Sequence, residues 1–389
     1  MRLCTVGEIE DGMILGKSIY QNGTKLLLGA GYRITPDIQE RLVEKGYSHV
    51  YILDEGTDDI IPEDVISDEV RHHAQSRLAD NVKKVQNTIR FQDMSREKAL
   101  ELLENGSLKD VNVTYGIRKI IDEILAEISA IGAEYFNSVM IKSKDTAFFD
   151  HSLNTTVLSI IIGRQYRYSK SEIRSLALGS FLHDIGKIII EQLAEPEKQS
   201  TKDLYREHPT FGYLLVKNDG MVTPMESQTI NQHHENQDGT GFPIGLTGNN
   251  LPPLPTNGRE TKGKIFRFAE ICAVANAYDN LCLNPFTKEK IAPNDVIKQM
   301  IDGAGTIFNR DIIQTLTKII TVYPVGAYVK IVNIIDPSLV GSYGVVAKIN
   351  RNDLSRPVII ITTNKYKKKV RPIMIDTSKL KLIQLELVI

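Results

Sequence analysis

Paired thiols are missing from this chain. Of its 389 residues three are cysteine, Cys4, Cys272 and Cys282. The number is odd and none is spaced C-x-x-C, which excludes a disulfide framework or a thiolate metal knot and predicts free thiols in the cytoplasm. Charge of one sign is missing too. Forty-seven basic residues stand against 48 acidic ones, a formal net charge of −1, without the electrostatic footprint of a binder of nucleic-acid polymers. A small anionic ligand is compatible with that balance. No apolar run reaches the roughly 18 residues of a spanning helix. The N-terminal MRLCTVGEIEDG carries acidic residues where a signal peptide has its apolar stretch, so neither membrane insertion nor secretion is expected. Internal repeats and long low-complexity tracts are absent as well.

What is present reads as an ordinary globular chain, 42% hydrophobic and 24% charged. At about 150 residues per domain its length predicts two or three folded units. Residues 1–60 read as a small α/β module: a strand over Lys25 to Leu28 after the Asn22-Gly23 turn, a helix over Thr35 to Lys45 and a strand over His49 to Leu53. The acidic, Gly- and Pro-containing stretch DEGTDDIIPEDVISDE then opens a helical linker or regulatory segment over 61–135. Residues 136–320 carry helical patterns. Asp145 is placed to cap FFDHSLNTTVLSIII, Ser169 and Glu172 form a capping box, one helix over about 224–234 delivers QHH, and another over about 264–283 delivers EICAVANAYDNL. From 321 to 389, YVKIVNI, GVVAKI and PVIIIT alternate with turns at Asp336-Pro337, Gly341 and Asn352-Asp353, which predicts a small β-barrel-like domain. KYKKKVR at Lys365 to Arg371 reads as a solvated hairpin, with an anion-binding patch as the alternative. The expected fold class is therefore multidomain and mainly α.

The strongest local signal is His183-Asp184, with Lys187 three residues on, at the end of the apolar segment SLALGSFLHDIGKIII. Burying an ionised aspartate without compensation is costly. A divalent cation supplies that compensation, and neutral imidazole with carboxylate suits zinc, iron or manganese. Of eight histidines, His151, His183, His208, His233 and His234 fall within the one helical stretch, whereas His49, His72 and His73 lie outside it. Each alone reads as a structural or surface residue; together with HD and HHE they read as metal donors. In QHHENQDGTGFPIG, Gly239 and Gly241 permit close backbone approach beside Phe242, and Pro243 stiffens the exit, so a ligand can lie against this loop.

The order H-x-x-N, HD-x-G-K, HP, HHE-x-x-DG-x-G-F-P and VANAYDNL over roughly 140–320 resembles the HD-GYP family of cyclic di-GMP phosphodiesterases, which are HD-superfamily metal-dependent phosphohydrolases. EDGMILGKSIY, GTKLLLGAGYRIT and KGYSHVYI resemble the small module found ahead of such domains, and YPVGAYVKI with GVVAKIN the β tail that can follow them. The resemblance implies an all-helical HD-type domain holding two divalent ions, iron or manganese, with zinc compatible. It implies hydrolysis of cyclic di-GMP to pGpG or GMP in bacterial signalling. The metal ligands it implies are His151, His183, Asp184, His208, His233, His234 and Asn276. Asp184 and Lys187 would be catalytic; Lys187, Gly239, Gly241, Phe242, Pro243, Asp279 and Asn284 would meet the substrate. Signalling proteins and a second copy of the chain are the expected protein partners.

Four departures from the family pattern stand out. Asn276 replaces a charged ligand by an amide, Ala147 stands where trinuclear members carry Glu and so favours two ions, Asn284 takes the place of an Arg, and Phe242 replaces a Tyr. An apparent insertion over about 247–262 lies near the site, as a surface loop or a lid. Asn276 and Asn284 motivate two alternatives: a catalytically weak cyclic di-GMP receptor or protein-interaction module, and a phosphohydrolase for another nucleotide.

Overall fold

The computed structural model describes residues 1–21, 25–62, 64–106, 112–132, 134–136, 146–193, 201–217, 219–255, 263–282 and 293–388. Asn22, Gly23, Asp145 and Asn284 lie outside these, as does the 256–262 part of the insertion.

Strands β1 (Arg2–Thr5), β2 (Ile14–Leu15) and β5 (His49–Leu53) form an antiparallel sheet in the order β1-β5-β2, and β3 (Ile19–Gln21) pairs with β4 (Lys25–Leu28) as a hairpin. Helix α1 (Pro36–Glu44) starts where the sequence dictates: the Thr35 hydroxyl accepts from the Ile38 N–H and proline occupies the first turn, where no N–H is needed. Leu15, Ile34, Leu42 and Val50 fill a core of their own beneath this layer.

The central helices are α2 (Asp68–Thr88), α3 (Arg96–Glu104), α4 (Ile117–Ile131), α5 (Ala147–Gln165), α6 (Lys170–Phe181), α7 (Lys187–Leu193), α8 (Thr201–Tyr205), α9 (His208–Lys217), α10 (Pro224–Gln232), α11 (Arg267–Cys282), α12 (Pro293–Asp302) and α13 (Arg310–Ile319). One continuous core runs through them from Val65 to Ile320. Its axis is α5, buried on every side from Asp150 to Gly163 although half of that stretch is polar. α11 meets two of its polar groups, His151 and Asn154, with the carboxylate of Asp279. The Ser169–Glu172 capping box is formed at the start of α6.

Strands β6 (Tyr328–Ile334), β7 (Tyr343–Lys348), β8 (Val358–Thr363), β9 (Lys369–Asp376) and β10 (Ile383–Val388) make an antiparallel sheet in the order β10-β6-β7-β8-β9. The barrel expected from the sequence is not seen: β9 and β10 are edges, with no pairing between them among the described residues. Alternation along a strand fixes which face is buried, and sheet closure is decided by pairings that alternation leaves open. Lys365 to Lys368 form the exposed turn into β9, and Lys369 lies 3.4 Å from Glu55 of the N-terminal module.

Candidate metal centre

Four elements converge on Asp184. His151 comes from the first turns of α5, His183 and Asp184 from the turn after α6, His208 from the start of α9, and His233 and His234 from the end of α10. The approach of α9 depends on Gly186. A Cβ there would overlap the His208 carbonyl and the Gly212 backbone nitrogen, so only glycine lets the two chain segments touch.

Each imidazole is held from behind. Nδ1 donates to the Ser180 carbonyl from His183 (2.8 Å), to the Tyr205 carbonyl from His208 (2.7 Å) and to the Ile230 carbonyl from His233 (2.8 Å). In His151 it donates to Asp279 Oδ2 at 2.6 Å, and Asp279 Oδ1 in turn accepts from Asn154 Nδ2 at 2.8 Å. A carbonyl can only accept, so the proton is on Nδ1, and a neutral ring then offers a bare lone pair at Nε2. Those lone pairs face one another: His151 and His183 Nε2 are 3.2 Å apart, as are His208 and His233 Nε2. Asp184 lies between the pairs. Its Oδ2 is 3.4 Å from the first two nitrogens, and its Oδ1 is 3.2 Å from His208 and 3.7 Å from His233.

Lone pair against lone pair against carboxylate is repulsive unless cations sit among them. Buried Asp184 Oδ1 and His234 Nε2 have no hydrogen-bond partner among the described residues, although imidazoles lie close to the former. Proximity without a proton is what a ligand set looks like. Two nitrogens about 2.1 Å from a shared ion at an angle near 100° would stand about 3.2 Å apart. The donors divide into His151, His183 and Asp184 on one side and Asp184, His208, His233 and His234 on the other. Nitrogen and carboxylate oxygen in that mixture fit a borderline divalent ion.

Electrostatics agree with this donor set. Burial pushes His233 down to about 3, and burial with the neighbouring His233 and His208 rings keeps His234 well below the usual imidazole range. His183 is lowered, chiefly by burial. Burial alone would raise the Asp184 carboxyl, but its His183, Lys187 and His151 neighbours outweigh it and hold it well below the usual carboxylate range. His151 goes the other way: burial lowers it, and the Asp184 and Asp279 carboxylates more than reverse that. A proton and a cation therefore compete for the same Nε2.

One wall is the loop after His234. Buried Glu235 accepts from the backbone N–H groups of Ile244 (2.7 Å), Gly245 (3.0 Å) and Leu246 (2.8 Å). Gly239 has φ +83°, and a Cβ on Gly241 would overlap the His234 carbonyl and the Asn236 nitrogen. So folded, the loop stacks Phe242 on His234 (4.5 Å, 14°), and the Arg206 guanidinium lies 4.7 Å from the centre of the Phe242 ring.

Residues 136–312 match the family model described as an HD domain. Among similar curated proteins, a cyclic di-GMP phosphodiesterase of Pseudomonas aeruginosa is 27% identical over 216 residues, 54% of this chain and 49% of the relative. Another from Borreliella burgdorferi is 25% identical over 188 residues, 46% of this chain and 45% of the relative. Over its helical region the chain is thus similar to HD-domain cyclic di-GMP phosphodiesterases. It spans about half the length of these relatives. A solved HDG"Y"P protein from Bdellovibrio bacteriovorus aligns with 82% of this chain and 98% of its own, at 19% identity and a TM-score of 0.43.

Against the HD-GYP expectations, the six His and Asp donors come together, whereas other residues sit differently. Asn276 is buried on α11, where its Oδ1 accepts from Asn280 Nδ2 at 2.6 Å. Asp279, expected at the substrate, has both oxygens bonded behind the centre to His151 and Asn154. Lys187 donates to Asp184 Oδ2, and its ammonium lies 5.2 Å from the Tyr205 ring centre. Ala147 opens α5, one turn before His151. Pro243 follows Phe242 through a cis peptide. Sequence reasoning missed Asn154 as the second partner of Asp279, Glu235 as the loop anchor, and Tyr205 and Arg206 beside the histidines. The H-x-x-N spacing was the available signal for Asn154.

Proposed function

We propose that this protein is a metal-dependent phosphodiesterase that hydrolyses cyclic di-GMP to pGpG or GMP. The observation that carries the reading is the two opposed pairs of Nε2 lone pairs sharing Asp184; the names of the relatives supply the substrate. We assign His151, His183, Asp184, His208, His233 and His234 as ligands of two ions, iron or manganese. Bound divalent ions would neutralise phosphate charge and lower the pKa of a bound water at neutral pH. Asp184 would serve both donor groups, with Oδ2 toward His151 and His183 and Oδ1 toward His208 and His233. Asp279 holds His151 in the tautomer that offers Nε2, as orienting carboxylates behind ligand histidines do. Lys187 supplies a point charge beside Asp184 for a phosphoryl oxygen. Phe242 and Arg206 present a ring and a guanidinium at the mouth, matching a base and a phosphate. Residues 1–60, 61–135, 136–320 and 321–389 divide the work, with catalysis in the third and the protein acting in the cytoplasm.

The test is cyclic di-GMP turnover after metal reconstitution, with elemental analysis of the same samples. Wild-type protein should retain metal and release pGpG or GMP, and His183→Ala and Asp184→Ala should lose both. Stoichiometric metal without turnover would sink the hydrolase reading. One observation favours a second reading, a weakly active receptor: Asn276 gives its carbonyl to Asn280 in place of a charged ligand. On that reading cyclic di-GMP binds without turnover, and Asn276→Asp restores the reaction.

A further inference from the structure

A cavity of about 90 Å³ lies where the N-terminal module meets α2 and the first turn of α5. Tyr20, Tyr47 and Tyr51 contribute aromatic wall; Lys17, Arg71, Asp64, Asp68 and Asp150 contribute charge. Much of that charge is already engaged. Lys17 pairs with Asp64 and, at 3.3 Å, with Asp68. Asp150 accepts from Gln75 Nε2 at 2.7 Å and from the Thr146 hydroxyl at 2.5 Å.

Two donors keep capacity in hand. Arg71 is 14% exposed, and its ion pair among the described residues is Asp150 Oδ1 at 3.7 Å, beyond hydrogen-bond distance. Tyr51 is 2% exposed, and its buried hydroxyl has no hydrogen-bond partner among the described residues. Buried polar groups are normally satisfied, so an orphan hydroxyl and an underused guanidinium lining one cavity point to a missing acceptor.

We propose that this cavity is a binding site for a small zwitterion of the α-amino-acid class. The ligand carboxylate meets the Arg71 guanidinium and the Tyr51 hydroxyl, its ammonium the free lone pairs of Asp64 and Asp68, and its side chain the Tyr20 and Tyr47 rings. Charge selects this class. The wall holds three carboxylates and two cations, so a plain anion enters a net negative site and a plain amine leaves Arg71 and Tyr51 unanswered. Arginine is the residue suited to planar, two-point recognition of a carboxylate. Size is compatible with it: the cavity has room for a small amino acid.

The experiment is a thermal melt of the full chain with glycine, L-alanine or L-serine at about 10 mM, with acetate and methylamine as half-ligands. At least one amino acid should raise Tm by about 2 °C, as a ligand held only by the folded state does. Neither half-ligand should match it. The rise should vanish in Arg71→Lys and in Tyr51→Phe, the second of which keeps the ring volume and removes only the orphan hydroxyl. No rise with any of the three amino acids, an equal rise with acetate, or a rise that survives in both variants would overturn the proposal.

Discussion

At the residue scale the centre is a contest between protons and cations for the same nitrogens. The carboxylates that raise His151 hold a proton where a metal would bind, so metal retention should rise with pH through and above the ordinary imidazole value of 6.5. Elemental analysis after dialysis from pH 5.5 to 8 checks this, since a flat profile would remove His151 from the ligand set. The donors were legible in the sequence because chemistry needs those residue types and the spacings H-x-x-N, HD and HHE bring them together. Asp279 was legible as a site residue but not as the group behind His151: which side of a ring a carboxylate meets depends on how α11 crosses α5. Glu235 escaped notice for a related reason. Its partners are backbone N–H groups of Ile244, Gly245 and Leu246, and no residue type advertises those.

At the element scale two predictions follow from packing. Gly186→Ala keeps every donor, yet its methyl must push α9 away. Metal content should fall sharply and stability by about 2 kcal/mol or more, read by elemental analysis and denaturant unfolding; full metal content in a stable variant would show that the helices can yield. The second concerns Glu270 on α11, which burial pushes up to about 7 despite donors from Gln237 at 2.6 Å and Asn309 at 3.3 Å. Its folded value lies above the unfolded value of about 4.3, so its contribution is complete below that value and is lost as pH rises through 7, about 4 kcal/mol in all. Unfolding curves from pH 5 to 8 should therefore slope downward in the wild type and flatten in Glu270→Gln. The helices and their caps could be read from periodicity and from Ser169, Glu172 and Thr35. Helix contact at Gly186 could not, because a glycine in HD-x-G-K reads equally as a turn residue.

At the scale of the whole molecule, three main cores follow one another among the described residues, the largest surrounding the centre, and a small fourth of Ile60, Val345 and Ile360 joins the N-terminal module to the C-terminal sheet. Among the described residues no helix is long and apolar enough to cross a membrane. The centre ties α5, α9 and α10 to the turn after α6, so ions bound there should stabilise the folded state. Chelation should lower Tm by several degrees and metal return should restore it, whereas an unchanged melt would mean that the helices hold their places without ions. The succession of α/β, helical and β segments was legible because hydrophobic period changes from one to the next. The open sheet at the C-terminus was not, since β9 and β10 could be known as edges only from their partners. Asp184 gives this architecture an unequal character: it lends one oxygen to each half of the ligand set. Whichever half fills first takes part of the one carboxylate that both halves share among the described residues, so a titration should trace two unlike steps, a tight one and a looser one.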